Sequence, residues 1–291
     1  MRAGRERTVP EGDVVRVTAQ RLDAALSGRA LGRAELRWAE AGGTDLTGRT
    51  VTEVLAFAKH LLTRLDDGTT LHTHLRMEGQ WRIARTGSAA AAARGSDVRA
   101  VLANETWTCV GERLGMLDVV RTRDEHLLLG HLGPDILAAD FLTDPETGVG
   151  LAVTRLRAAA AEGGFPAQVT VGGSATPAPR GTRLPIADAL LDQRGVSGLG
   201  TIYTAEGLFA QRLWPWTPVD DVSDHDLEAL LRTTRGLMLR SVAEGVGTVR
   251  RHVHGRARRA CHRCGTPVAV APANQAPFER PIFWCPTCQR A

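Results

Sequence analysis

Four cysteines near the C-terminus have the spacing of a metal site. They form two CxxC pairs separated by twenty residues, at Cys261, Cys264, Cys285 and Cys288. Each pair places two thiolates on one tight turn, and two such turns facing each other close a tetrahedral site for one Zn²⁺. Disulfides are the alternative, but they are rare in a reducing cytosol. Because all four ligands are cysteines, no position stays open for a substrate, and the predicted zinc ion is structural.

The chain contains a single lysine, Lys59, among its 36 basic residues. Arginine replaces lysine everywhere else, as in proteins from GC-rich genomes, so the remaining lysine indicates a position that arginine does not serve. A compact, titratable ammonium can donate to one phosphate oxygen or one reacting atom, which a planar guanidinium does not replace. Lys59 is therefore a candidate functional residue. Chance survival of one surface lysine is the alternative.

Arginines lie close to the cysteine pairs. Arg280 stands between the pairs, and the segment HGRARR at 254–259 precedes them. Guanidinium groups match phosphate oxygens, so this region predicts contacts with a polyanion, and a solvated basic face is the alternative. The net charge of +4 suits such a partner without requiring it. The glycine-rich junction GVSGLG at 195–200 opens a predicted helix, whose free N–H groups could accept a phosphate.

Composition places the chain among ordinary globular proteins. It has 291 residues, of which 43% are hydrophobic and 23% charged. No apolar run approaches the roughly 20 residues that cross a bilayer, and the N-terminal arginines are not followed by the apolar stretch of a secretory signal. We therefore expect a cytoplasmic protein without a membrane span.

Hydrophobic periodicity predicts a mixed α+β chain of several domains. Residues 10–26 predict an amphipathic helix with Val14, Val17, Leu22 and Leu26 on its apolar side. Short β-type runs between 50 and 121 predict a β-sandwich of about six to eight strands, interrupted by an alanine-rich surface loop at 88–96. Past a boundary near 132–134, helices are predicted at about 149–162, 184–193, 201–212 and 224–243. A loop rich in glycine and proline lies between the first two, at 163–181.

Six motifs in this order resemble the Fpg/Nei family of DNA glycosylases. They are PEGD at 10–13, AKHLL at 58–62, HLRMEGQW at 74–81, LGPDIL at 132–137, ALLDQRGVSGLGTIYTAEGLF at 189–209, and VHGR at 253–256 with the cysteine pairs ending in FWCPTCQ. The resemblance implies an extension at 1–9, then a catalytic domain at 10–131 with an N-terminal helix and β-sandwich. A helix-two-turns-helix (H2TH) domain at 132–251 and a zinc-finger hairpin at 252–291 follow.

The resemblance also implies a mechanism. Pro10 matches the family's N-terminal proline, whose secondary amine attacks C1′ of the damaged nucleotide and forms an iminium that permits β- and δ-elimination. Glu11 matches the general acid/base. Lys59 matches a lysine that contacts phosphate and assists opening of the sugar, so the composition and the resemblance favour the same residue. The expected enzyme is a bifunctional DNA glycosylase and lyase acting at abasic sites.

Contacts with DNA follow from the same resemblance. Arg280 matches the finger arginine that binds a phosphate beside the lesion. Met77 matches the wedge that enters the base stack when the damaged base is flipped out, and a core methionine is the alternative. Tyr203 and Glu206 lie in the helix motif and serve structure or function. We expect a monomer whose partner is double-stranded DNA with damaged bases or abasic sites, and no membrane partner.

Three positions depart from the family pattern. Nine residues precede Pro10, and an acylated proline cannot form the imine, so we expect translation from Val9 or processing that exposes Pro10. Thr201 stands where the family has asparagine, which predicts weaker phosphate binding. ERLG at 112–115 replaces an arginine-rich loop that reads cytosine opposite 8-oxoguanine. The last departure favours the endonuclease VIII branch, in its actinobacterial form, and oxidised pyrimidines.

Other functions stay open at this point. A formamidopyrimidine/8-oxoguanine glycosylase of the same family is one, and a non-catalytic binder of damaged DNA is another if Pro10 is not exposed. A zinc ribbon binding RNA or protein leaves PEGD and Lys59 unexplained. Cys109 is interpreted as a buried apolar residue. Seven histidines lack metal-ligand spacing and are interpreted as strand or surface residues: His60, His72, His74, His131, His252, His254 and His262.

Overall fold

A computed structural model describes residues 10–41, 43–144, 146–164, 183–274 and 277–290. The chain divides into two compact units, the first ending at Gly130 and the second beginning at His131. The predicted extension at 1–9 and most of the predicted loop at 163–181 lie outside the described residues. Among the helices of the described ranges, none is long and apolar enough to span a membrane. The separation of a helical domain from a zinc finger stays a prediction.

Helix α1, Gly12–Leu26, opens the first unit. Its buried apolar side chains recur every three or four residues and form one face: Val15, Ala19, Leu22, Ala25 and Leu26. Val14 and Val17, predicted on that face, are only partly buried, because Val15 and Ala19 form its centre instead. The helix ends as predicted at Ser27, and Gly28 follows with a φ of 72°, a conformation that favours glycine.

Two antiparallel sheets form the β-sandwich of the first unit. The first sheet has the strand order β1 (Arg29–Ala30), β3 (Thr50–Phe57), β4 (His60–Leu65), β5 (Thr69–His74) and β9 (Met116–Arg121). The second has the order β2 (Arg33–Leu36), β7 (Val98–Ala103), β8 (Trp107–Glu112) and β6 (Gln80–Arg85). A short helix α2, Glu125–Leu129, ends the unit.

Side chains of α1 and of both sheets share one apolar core, which includes Leu22, Leu61, Leu71 and Leu102. Cys109 lies in this core with no exposed surface, and burial raises the pKa of its thiol to about 12, as expected for a buried apolar residue. The alanine-rich segment at 88–96 is not entirely a surface loop. It contains a 3₁₀ turn at Ala89–Ala91, and Ala91 is buried.

Within its described residues, the second unit contains four α-helices and a β-hairpin. The helices are α3 (Val149–Ala161), α4 (Ile186–Leu191), α5 (Thr201–Ala210) and α6 (Asp224–Glu244). Helices α5 and α6 approach closely because Gly207 has no side chain: a Cβ there would lie 2.2 Å from Thr234 Oγ1. The hairpin comprises β10 (Ala269–Ala273) and β11 (Arg280–Trp284), and Ala273 and Ile282 pack into the helical core.

Hydrogen bonds join the motifs LGPDIL at 132–137 and GVSGLG at 195–200 of this unit. Ser197 Oγ donates to the carbonyl of Gly133 at 2.8 Å, and the Ile136 N–H donates to the Ser197 carbonyl at 3.1 Å. Gln193 donates to the carbonyls of Leu191 and Leu199 and accepts from the N–H of Gly198, at 3.0 Å in each case. These contacts satisfy buried backbone groups in the turns that precede α5. The predicted α+β fold class is confirmed.

Candidate active site and metal centre

Pro10 and Glu11 lie at the N-terminal end of α1. Glu11 is the N-cap residue, and its carbonyl accepts the first helical hydrogen bond, from Val15 N–H at 3.1 Å. The Glu11 side chain is 1% exposed, whereas Pro10 is half-buried. The partial positive charge at a helix N-terminus favours a carboxylate at this position. The arrangement places a shielded carboxyl group directly beside the proline.

Lys59 occupies the two-residue turn between β3 and β4. Phe57 and His60 form the closing pair of this hairpin, and Ala58 adopts a φ of 54°. The Lys59 side chain is half-buried, and its charge is one of those that lower the pKa of His74. The single lysine is therefore fixed at a tight turn, electrostatically coupled to the half-buried imidazole of His74.

Two hydrogen bonds set the direction and position of α1 along β3. Val54 N–H donates to the Asp23 carboxylate at 2.8 Å, and Gly28 N–H donates to the Val51 carbonyl at 2.8 Å, so the helix runs antiparallel to the strand. Twelve residues from Asp23 back to Glu11 span about 18 Å of helix, and five residues from Val54 to Lys59 span about 16 Å of strand. Pro10, Glu11 and Lys59 therefore come to the same end of the first unit.

His74 is the last residue of β5 and adds a hydrogen-bond donor near Lys59. Its Nδ1 accepts from the Arg76 N–H at 2.8 Å, so a neutral ring carries its proton on Nε2. Burial lowers the pKa of His74 to about 4, with smaller effects of the charges on Arg76, His72 and Lys59. The imidazole is therefore neutral at pH 7.

The histidines interpreted as unrelated strand residues include a connected group. His60 Nδ1 lies 2.8 Å from His72 Nε2, and His72 Nδ1 lies 2.9 Å from Asp118 Oδ2. The ring of His60 also contacts that of His74 edge-on, with 4.8 Å between the ring centroids. Sequence reasoning missed this group because strand pairing, and not local spacing, aligns His60 with His74 and His72 with Asp118.

Met77 is exposed at the turn between β5 and β6. Its relative exposure of 62% excludes the interpretation as a core methionine. The turn requires Gly79, because a Cβ there would lie 2.4 Å from the Leu75 carbonyl oxygen. The segment ERLG approaches the same turn: Arg113 lies 4.0 Å from the Glu78 carboxylate, and Gly115 leaves room for the Arg76 side chain. Met77 is thus an exposed apolar side chain on a constrained turn.

In the second unit, Thr201 is the first residue of α5. Its hydroxyl lies 3.4 Å from His254 Nε2, so the position that departs from the family pattern has an imidazole beside it. Glu206, one and a half turns further along, accepts hydrogen bonds from the consecutive N–H groups of His252, Val253 and His254, each at 2.9 Å. Burial raises the pKa of Glu206, but these bonds and the His252 ring hold it below its usual range. Glu206 therefore ties the segment 252–254 to α5.

Arg280 is the first residue of β11 and is exposed. The carbonyl of Glu279 accepts a hydrogen bond from its guanidinium at 3.1 Å. At the same end of the hairpin, next to the pair Ala273–Arg280, Asn274 N–H donates to the Asp188 carboxylate of α4 at 3.0 Å. The hairpin that carries Arg280 is therefore tied to a helix of the same unit.

The four C-terminal cysteines come together at the base of this hairpin. Their Sγ atoms all lie within 4.8 Å of one another, and those of Cys264 and Cys285 are 3.4 Å apart. A tetrahedral zinc site with bonds of about 2.3 Å requires sulfur atoms about 3.8 Å apart. Arg263 N–H also donates to Cys261 Sγ at 3.4 Å, which suits a thiolate acceptor. The four residues can therefore hold one metal ion.

Two family models match the chain. They are described as the formamidopyrimidine-DNA glycosylase N-terminal domain, over residues 9–118, and the formamidopyrimidine-DNA glycosylase H2TH domain, over residues 175–253. The probable endonuclease 8 2 of Streptomyces coelicolor is 38% identical over 288 residues, which cover 97% of this chain and 94% of that protein. The chain belongs to the Fpg/Nei family of DNA glycosylases.

Further Fpg/Nei members agree with this assignment. The DNA-(apurinic or apyrimidinic site) lyase Nei2 of Mycolicibacterium smegmatis is 33% identical over 97% of this chain and 100% of its own length. The formamidopyrimidine-DNA glycosylase of Lactococcus lactis, bound non-covalently to DNA with an AP site, has a TM-score of 0.74 at 20% identity, covering 97% of this chain and 100% of that chain. The first confirms the predicted endonuclease VIII branch and enzyme class, and the second confirms the fold.

The family matches divide the predicted site residues. Pro10, Glu11, Lys59 and Met77 lie within the match to the Fpg/Nei N-terminal domain, and Thr201 lies within the match to the H2TH domain. Arg280 and the four cysteines lie beyond both matches. The role of each residue stays a prediction.

Proposed function

We propose that this Fpg/Nei protein excises oxidised bases, chiefly pyrimidines, from double-stranded DNA and cleaves the resulting abasic site. The observation that carries the proposal is the position of Pro10, Glu11 and Lys59 at one end of the first unit, where α1 begins and β3 turns into β4. A nucleophile, a carboxyl group and an ammonium are the groups that the reaction needs. DNA containing damaged bases or abasic sites is the proposed partner of the monomeric enzyme, in the cytoplasm at the nucleoid.

Pro10 is the proposed nucleophile. The lone pair of its secondary amine forms a bond to C1′, the bond from C1′ to the base breaks, and the base leaves with the electron pair and takes up a proton. The amine then loses its proton, the C1′–O4′ bond breaks as O4′ takes up a proton, and the nitrogen lone pair forms the iminium. The iminium acidifies the C2′ proton, whose removal expels the 3′ phosphate, and a second elimination expels the 5′ phosphate. This chemistry requires a free amine, so the active form has Pro10 as its first residue.

Glu11 and Lys59 are the proposed proton-transfer and phosphate-binding groups. Glu11 is buried beside Pro10, where it can give a proton to the sugar oxygen and accept one during elimination. The Lys59 ammonium donates to a single phosphate oxygen at the reacting nucleotide. Neutral His74, electrostatically coupled to Lys59, adds no competing positive charge.

The proposed DNA contacts are Met77, Thr201 and Arg280. Met77 is the exposed wedge that replaces the flipped base in the stack. Thr201 donates a hydroxyl at the start of α5, beside His254, and Arg280 binds a phosphate. Preference for pyrimidines rests on ERLG at 112–115, which lacks the arginine pair of the formamidopyrimidine branch.

We assign Zn²⁺ to the four-cysteine site. Thiolates are soft ligands, and four of them in tetrahedral proximity suit Zn²⁺. When bound, the ion supplies no catalytic chemistry and cross-links the two turns at the base of the hairpin that carries Arg280. We therefore propose one structural zinc ion per chain, as the spacing of the cysteines predicts.

Release of base from matched duplexes tests the substrate proposal. The enzyme with Pro10 as first residue is mixed with duplexes that carry either an oxidised pyrimidine or 8-oxoguanine opposite cytosine, under single-turnover conditions. We expect the pyrimidine to be released at least about tenfold faster, a difference of about 1.4 kcal/mol in barrier. Faster release of 8-oxoguanine would assign the chain to the alternative specificity.

A further inference from the structure

Three polar side chains form a continuous hydrogen-bonded chain across the first sheet. His60 begins β4, His72 lies in β5 and Asp118 lies in β9, with contacts of 2.8 Å and 2.9 Å between successive residues. His72, in the middle, is 1% exposed. Asp118 pairs directly with His72 across β5 and β9. The group therefore joins three neighbouring strands and ends one residue from Lys59.

The chemistry of the partners fixes the direction of these bonds. An ionised carboxylate only accepts, so His72 Nδ1 donates to Asp118. In the tautomer with its proton on Nδ1, His72 accepts at Nε2, and the donor is His60 Nδ1. The order parallels the arrangement in which a carboxylate holds an imidazole in one tautomer and orientation for another group. Each imidazole ring has one orientation in which the hydrogen bonds of this network form.

We propose that His60, His72 and Asp118 are positioning residues that hold the Lys59 turn for the lyase reaction. The inference rests on the proposed function. His60 closes the hairpin turn with Phe57, so fixing its ring fixes the residue that follows Lys59. His60 also contacts the His74 ring, and the Lys59 charge acts on His74. The chain thus connects the turn to two further strands.

A second hydrogen-bonded network lies on the same face of the sheet. Thr70 Oγ1 donates to Glu125 Oε1 at 2.6 Å, and Arg64 donates to both Glu125 oxygens, at 2.9 Å and 2.6 Å. These bonds connect β4 and β5 to α2. This network lies at the opposite end of β4 and β5 from the Lys59 turn.

Two variants break the chain in different ways. His72→Phe keeps an aromatic ring and removes both hydrogen bonds, while Asp118→Asn keeps one acceptor oxygen and removes the charge. His126→Phe is the matched control, because His126 is an exposed histidine of the same unit that contacts only the nearby Arg123 carbonyl at 2.9 Å among the bonds found for its ring. Thermal unfolding of each protein separates loss of fold from loss of position.

The test measures borohydride trapping on an abasic-site duplex at saturating enzyme, with the mature terminus at Pro10. Displacement of a reacting group by about 1 Å can cost about 100-fold in rate, so we expect His72→Phe to slow trapping tenfold to 100-fold. Asp118→Asn should have a smaller effect in the same direction, and His126→Phe none. The fraction of DNA trapped at long times should equal that of the parent protein. A variant with a structural defect would instead lower this final fraction.

A second comparison asks whether the chain acts through Lys59. In a Lys59→Ala background, His72→Phe should slow trapping less than twofold, because the group that it positions is already absent. The positioning proposal would be overturned if His72→Phe and Asp118→Asn both trapped DNA at the parental rate. It would also be overturned if the rate losses of His72→Phe and Lys59→Ala were fully additive. Either result would leave the proposed function intact. Absence of trapping by the parent protein would instead contradict the proposed function itself.

Discussion

The backbone N–H of Val54 donates a hydrogen bond of 2.8 Å to the carboxylate of Asp23, across 31 residues of sequence. This bond sets the position of α1 along β3 and thereby the level at which Pro10 and Lys59 lie. Asp23→Ala leaves the partly buried Val54 N–H without this acceptor, at a cost of about 1–3 kcal/mol in the free energy of unfolding. Urea denaturation measures the loss.

Asp23→Asn is the control, because an amide oxygen can still accept from Val54. It should lose less stability than Asp23→Ala. If the two variants unfolded at the same urea concentration as the parent, the apolar face of α1 alone would fix the helix.

His74 predicts a dependence of stability on pH. Its folded pKa is about 4, whereas an unfolded histidine titrates near 6.5. Between these values the unfolded chain binds a proton that the folded chain does not, so the free energy of unfolding falls as the pH drops from 6.5 to 4. The maximum slope is about 1.4 kcal/mol per pH unit. Urea denaturation at several pH values measures it.

His74→Asn keeps an acceptor for the Arg76 N–H and removes the titrating ring. Its stability should vary less than that of the parent between pH 6.5 and 4.5. Below pH 4.5 both proteins should lose stability, because the pKa of Glu206 is lowered on folding and its contribution disappears as that carboxylate is protonated. An unchanged slope in His74→Asn would contradict the burial of a neutral imidazole.

Met77→Ala separates base flipping from later chemistry. The side chain is 62% exposed, so the free energy of unfolding should change by less than about 0.5 kcal/mol. Release of a damaged base from duplex DNA should slow about tenfold, since filling the vacated stack offsets part of the cost of flipping, a few kcal/mol. Cleavage of a preformed abasic site should slow less. Equal rates of base release in both proteins would remove Met77 from the proposed wedge.

Removal of the metal should affect the second unit. The zinc ion that we propose for the four cysteines would stabilise the hairpin base, so a strong chelator should lower the thermal unfolding temperature and weaken DNA binding. Metal analysis of the native protein should give one zinc ion per chain. Cys264→Ser should reproduce the effect of the chelator, while Cys109→Ser should leave the zinc content unchanged because that thiol lies in the core of the first unit. Native protein without zinc would contradict the assignment.

Much of the fold follows from local patterns. Strands β3 to β9 were predictable because they are short runs rich in apolar and β-branched residues, and the cysteine pairs because zinc ligands have characteristic spacing. Strands β1 and β2 lack that signal, since Arg29 and Ala30 are exposed and only Leu36 of β2 is buried. They are recognised as strands only by their pairing, β1 with β3 and β2 with β7.

The candidate site divides in the same way. Lys59 could be singled out by composition, and Pro10 by resemblance. The chain from His60 to Asp118 could not be predicted, because His72 and Asp118 are 46 residues apart and only the pairing of β5 with β9 brings them together. The rotation of the apolar face of α1 toward Val15 likewise depends on its packing against both sheets.

The assignment of Pro10 as the nucleophile is tested most directly by locating the covalent bond to DNA. The protein with Pro10 as first residue is trapped with borohydride on an abasic-site duplex, digested and sequenced by mass spectrometry, in parallel with protein that retains residues 1–9. We expect an adduct only in the first protein, with the deoxyribose remnant on the Pro10 nitrogen. An adduct on Lys59, or an adduct in a protein shown to retain residues 1–9, would contradict Pro10 as the nucleophile.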